Sequence, residues 1–153
     1  MRNPLLASAI AAVIGTSACA GEQPDKAIYA CEYKSKKHLG NAEIELKVGQ
    51  IQRVDYGNAT KGLPGRPGFL CELSANRGEQ GQKWQELNGI LAIEFEDAAT
   101  WGGNSIAISR DAGGFLIDMR EAKSGAACGA GSSLPKSVYV PLKGKKCKFN
   151  LRQ

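Results

Sequence analysis

The sequence predicts an all-β domain, an antiparallel β-barrel or sandwich of about eight strands with at most short helical turns. Three observations carry this expectation. Apolar and polar residues alternate in short runs, the period that sends successive side chains to opposite faces of a strand. Gly, Pro, Asn and Asp interrupt those runs at close intervals. No amphipathic stretch is long enough for a substantial helix.

Four strand pairs follow in chain order. In "AEIELKVGQIQRVDYG", Ile44, Leu46 and Val48 share a face and Gly49 marks a turn. Ile51, Val54 and Tyr56 then break strict alternation, which predicts a bulge near Gln52-Arg53. "KGLPGRPGF" reads as a loop. In "KWQELNGILAIEF", Asn88-Gly89 suits a type I′ turn, whose two central residues both need positive φ. Counting outward sets Leu87 against Ile90, Trp84 against Ile93 and Lys83 against Glu94. "NSIAISR" and "GGFLIDM" pair across Asp111–Gly114, and "SVYVPL" pairs with "CKFNL" across a lysine-rich turn at Gly144. Pro141 lacks a donor N–H, which suggests an edge position for its strand. "MREAKSGAACGAGSSLP" predicts a short helix at Arg120–Lys123 followed by a small-residue loop.

The first 20 residues read as an export signal and 21–153 as one disulfide-stabilised β domain. Arg2 opens the leader, residues 5–14 are apolar but too few to span a bilayer, and Ala18-Cys19-Ala20 has the small-x-small form of a cleavage site. An alternative reading of Thr16–Cys19 makes Cys19 the lipidated first residue of the mature chain, anchoring it by acyl chains. Either reading implies a periplasmic or secreted protein. The formal charge of +5 includes Arg2, so it falls to about +4 with the leader removed. That balance suits acidic partners and falls well short of a nucleic-acid binder.

Export also decides how the remaining cysteines read. Cys31, Cys71, Cys128 and Cys147 are even in number and bound for an oxidising compartment, which predicts two disulfides. Of the three pairings, Cys31–Cys71 with Cys128–Cys147 is favoured here, because each joins segments read as neighbouring strands or strand-end loops. Lys145, Lys146 and Lys148 around Cys147 would suit a reactive thiol, but no Cys-x-x-Cys spacing occurs.

Enzymatic chemistry finds little support. His38 is the only histidine, in a basic stretch, so a histidine-based metal site lacks ligands, and no Gly-x-Ser-x-Gly elbow is present. Glu43 with Glu45 and Glu94 with Glu96 alternate on outward strand faces, the pattern of a solvated sheet rather than an acid–base pair. No cofactor is expected. The residues singled out for partner contact are Trp101, flanked by glycines, the 124–133 loop beginning Ser124-Gly125, and Lys143, Lys145, Lys146 and Lys148. A second cluster, Lys34, Lys36, Lys37 and His38, would extend the last into one positive patch if the two lie side by side.

An export signal, a compact β-rich domain and cysteine cross-links together are similar to the plan of small bacterial periplasmic lysozyme inhibitors. Such inhibitors carry a Ser-Gly-x-x-Tyr loop that enters the enzyme's cleft; the nearest string here is Ser124-Gly125-Ala126-Ala127-Cys128, with cysteine in place of tyrosine. The expected function is a non-enzymatic envelope protein that binds a protein partner through its loops, inhibitor-like or immunity-like. Two alternatives stand beside it: a binder of anionic envelope glycans or lipids through the lysines, and a hydrolase with an unusual carboxylate or His38 site.

Overall fold

The structure, a computed structural model, describes residues 25–36, 38–60, 70–96, 104–129 and 133–150. Residues 1–24 with Cys19, residues 61–69, Lys37, Trp101 and residues 130–132 of the 124–133 segment lie outside them. Among the described residues ten strands run in order: β1 (Lys26–Lys34), β2 (His38–Lys47), β3 (Gln50–Thr60), β4 (Leu70–Asn76), β5 (Gln82–Leu87), β6 (Ile90–Phe95), β7 (Asn104–Arg110), β8 (Gly114–Asp118), β9 (Ser137–Pro141) and β10 (Lys148–Asn150). One helical turn, α1 (Ser124–Ala127), precedes β9. The strands make two antiparallel sheets, one ordered β1-β2-β3-β4 and the other β10-β9-β8-β7-β6-β5. The result is a sandwich.

Alternation builds the interior. Ile44 and Leu46 of β2, Val54 and Tyr56 of β3, and Leu73 and Ala75 of β4 turn inward from the smaller sheet. Leu91, Ile93, Ile106, Ile108, Phe115, Ile117, Val138 and Val140 meet them from the larger one in a single buried cluster. Burying each of these large side chains stabilises the fold by about 1.5–3 kcal/mol.

The hairpin registers follow the sequence. Leu87 pairs with Ile90, Trp84 with Ile93 and Lys83 with Glu94. Asn88 and Gly89 take φ of 53° and 74°, as a type I′ turn demands. The Lys83 ammonium reaches diagonally, however, and pairs with Glu96 rather than Glu94. In the β2–β3 hairpin the register slips between Glu45 and Leu46, so that Gln52 is the extra residue of the expected bulge.

Three expectations need correction. The helix at Arg120–Lys123 gives way to one at Ser124–Ala127. The Met119 N–H donates to the Lys136 carbonyl and the Lys123 N–H to the Asn104 side chain, which commits the first segment to tertiary partners. The strand carrying Pro141 is internal, with β10 as the edge; β10 pairs only as far as Tyr139, so Pro141 stands past the end of that ladder.

The cysteine pairing is also different. Cys31 bonds Cys147 and Cys71 bonds Cys128. β1 and β4 are the outermost strands of the four-stranded sheet, with β2 and β3 between them. Three strand spacings put them roughly 14 Å apart, beyond the ~7 Å Cα limit of a disulfide. Each cysteine instead finds a partner outside its sheet. At the β1 edge the Glu32 N–H donates to the Lys145 carbonyl at 2.8 Å and the Cys147 N–H to the Glu32 carbonyl at 3.1 Å. At the β4 edge Cys71 and Cys128 form an isolated antiparallel bridge. Both cross-links therefore fasten an edge of the small sheet to connections of the large one, and two disulfides suit an oxidising compartment.

Candidate functional site

The register of the six-stranded sheet lines up one row of residues on its outer face. Leu87 pairs with Ile90, Ile90 with Ser109, Ser109 with Leu116, Leu116 with Tyr139 and Tyr139 with Lys148. The row crosses all six strands, a span of roughly 24 Å. Leu87 is 73% exposed, Ile90 48% and Leu116 39%. The neighbouring row carries Ala92 and Ala107, whose small side chains leave the large ones standing proud. Lone exposed leucines are ordinary; an exposed row in register is a surface feature.

The face has relief and charge as well. A shallow depression of about 570 Å³ is lined by Leu116, Asp118, Arg120, Lys136, Ser137 and Asn150. Asp118 and Arg120 form an ion pair there, and the guanidinium holds the Asp118 carboxyl below the usual carboxylate range. At the β10 end the Lys148 ammonium lies 5.9 Å from the centre of the Tyr139 ring, within cation–π reach.

The lysines named from sequence meet this face at its edge. Lys143, Lys145 and Lys146 are exposed in the bend before β10. The bridge between Glu32 and Lys146 sets that bend beside β1, two residues from Lys34, which brings one lysine of the first basic cluster near the second. Ser124 and Gly125 stand elsewhere, in α1 at the β4 edge, where Ser124 Oγ accepts from the Leu134 N–H at 3.0 Å. His38 opens β2, and it is its backbone N–H, not the imidazole, that meets Ser35 Oγ.

At one end of the sandwich the turns of three hairpins enclose a cleft of about 370 Å³. Gly49 and Gly89 border it, and Val48 beside Gly49 is 71% exposed. Val48 also holds φ of 49°, a left-handed conformation that a β-branched residue rarely adopts. Arg77 and Arg110 reach into the cleft, each resting on an aromatic ring, Trp84 at 5.0 Å and Phe115 at 5.3 Å. Beside them Asp111 Oδ1 accepts from the Gly113 N–H at 2.7 Å, the Gly114 N–H at 2.8 Å and the Tyr139 hydroxyl at 2.9 Å. Those donors hold the Asp111 carboxyl below the ordinary carboxylate value.

Three outward carboxylates of the smaller sheet are spent on ion pairs. Glu45 meets Lys26 at 3.0 Å, Asp55 meets Arg53 at 2.7 Å, and Glu43 pairs with the same arginine. Among the described residues no group of three or more His, Cys, Asp and Glu side chains stands together as a metal site would require.

Sequence reasoning missed the outer-face row. Each hairpin register was available locally, but adding them into one line needs the order of all six strands. No family model matches this chain, and neither a curated protein nor a solved structure resembles it.

Proposed function

We propose that this chain is an exported, non-enzymatic binding module that recognises a protein partner in the cell envelope, in the manner of inhibitor or immunity proteins. Its contact face is the outer surface of the six-stranded sheet. The observation behind this reading is the single cross-sheet row in which Leu87, Ile90 and Leu116 are exposed, Tyr139 is half-buried, and Lys148 closes one end. Apolar and aromatic groups presented from paired strands suit the centre of an interface, and the lysine end favours a partner whose rim is acidic. The leader and the two disulfides support export to the periplasm or beyond, with acylation at Cys19 as the alternative anchor.

A photo-reactive side chain at position 116 tests the reading in envelope extract. The expected product is one discrete adduct, absent when the probe replaces Glu72 on the small sheet and lost in a Leu87→Asp variant. Adducts of equal yield from both positions, or none, defeat it.

A second reading, an anionic glycan or lipid ligand, is favoured by the approach of Lys34 to the lysines of the 143–148 bend. Anionic vesicles distinguish the two. Binding that disappears as salt screens the lysines supports the polyanion, and indifference to vesicles at low ionic strength removes it.

A further inference from the structure

We propose that the cleft at the turn end of the sandwich is a carboxylate-binding site, shaped for a carboxylate carried on a compact apolar body. The site opens between the two sheets rather than on the outer face of one, and it stands independently of the outer-face reading. Its volume of about 370 Å³ falls within the range of small-ligand pockets.

The floor is apolar, supplied by Leu46 from one sheet and Leu91, Ile108 and Phe115 from the other. Two guanidinium groups stand over it. Arg77 Nε donates to the Ile51 carbonyl at 3.0 Å and its Cζ lies 5.0 Å from the centre of the Trp84 ring, two contacts that restrain the group and leave the terminal amino groups as donors. Arg110 is held on Phe115. Among the described residues neither guanidinium has a carboxylate within 4.0 Å, although Arg53 and Arg120 both do. Asp111, the acid adjacent to Arg110, is taken up by Gly113, Gly114 and Tyr139. Glu86 lines the cleft without pairing to either arginine, so one acceptor stays available to an amide N–H on the ligand. Planar donors fixed in advance over an apolar floor match a carboxylate with a hydrophobic body better than a bare inorganic anion.

The test uses the whole mature protein and three probes: N-acetyl-phenylalanine, its C-terminal amide, and 3-phenylpropionate. Nuclear magnetic resonance follows the Nε–H signals of Arg77 and Arg110 and the amides of Gly49 and Gly89. Both acids are expected to shift these signals saturably, with the amide at least about tenfold weaker, and an Arg77→Gln, Arg110→Gln double variant is expected to lose the response. Tighter binding of N-acetyl-phenylalanine assigns the site to peptide chain ends, and equal binding assigns it to organic acids at large. If the double variant does not fold, Arg110→Gln alone must weaken both acids. Equal shifts with the amide, no shifts, or a response that survives in the variant overturns the proposal. A failed cross-link at position 116 would leave these signals unaffected, so the two proposals fail separately.

Discussion

Cys31 and Cys147 stand 116 positions apart in the chain and 5.1 Å apart at their Cα atoms. Cys71 and Cys128 close a loop of 57. In the chain-entropy picture these loops are worth about 5 and about 4 kcal/mol respectively. Replacing Cys31 and Cys147 together by alanine should therefore lower the urea midpoint more than replacing Cys71 and Cys128. A non-reducing digest should recover the peptide of Cys31 joined to that of Cys147.

Val48 occupies a turn position suited to asparagine. Its positive φ costs on the order of 1 kcal/mol or more, and Val48→Asn would leave an Asn-Gly pair with the preferred geometry. The variant should be more stable by about 1 kcal/mol, read as a rise of a few degrees in the melting temperature. An unchanged or lower melting temperature would mean that the valine is not strained.

Asp111 ties the β7–β8 turn to β9, and its bonds have a pH signature. The Gly113 N–H, the Tyr139 hydroxyl and the Gly114 N–H all favour the ionised carboxylate, so its folded pKa lies below the unfolded one. The stabilisation is present above the unfolded value of about 4 and is lost as pH falls through the lower, folded value. Asp111→Ala should be less stable than the parent at neutral pH, with the difference shrinking as the solution is acidified below about pH 4. Hydrogen exchange at Gly113 and Gly114 reads the same loss locally. The turn is otherwise crowded: a Cβ on Gly114 would collide with the Val140 carbonyl oxygen, so Gly114→Ala should disrupt it outright.

Leu116 sits mid-row on the outer face, 39% exposed and outside the buried core. Leu116→Arg should move the unfolding free energy by no more than about 0.5 kcal/mol while lowering partner affinity at least about tenfold, as expected of a central interface residue. Titration calorimetry with the cross-linked partner, once isolated, checks the second value, and urea unfolding checks the first.

What the sequence revealed was local. Asn88-Gly89 dictates its own turn conformation, and from it the registers of Trp84 with Ile93 and Lys83 with Glu94 follow by counting. The bulge at Gln52 was legible for a similar reason, since a slip in alternation has a single physical cause. The disulfide pairing was not legible. It depends on β1 and β4 lying at opposite edges of one sheet, a relation that no short window contains. Pro141 shows the same limit: a missing N–H signals an absent partner, but an absent partner arises at a strand's end as readily as along a sheet's rim.

The order in which the cysteines occur along the chain has a consequence for how the protein is made. Under the proposed export with the first 20 residues removed, a polypeptide emerging from its N-terminus would offer Cys31 and Cys71 to an oxidant while Cys128 and Cys147 are still to come. The first bridge chemically within reach is thus a wrong one, incompatible with the finished sandwich. Maturation must either delay oxidation until the last cysteine arrives or undo that early bridge by thiol exchange. In such a compartment an isomerase would raise the yield beyond what the intrinsic stability of the fold secures.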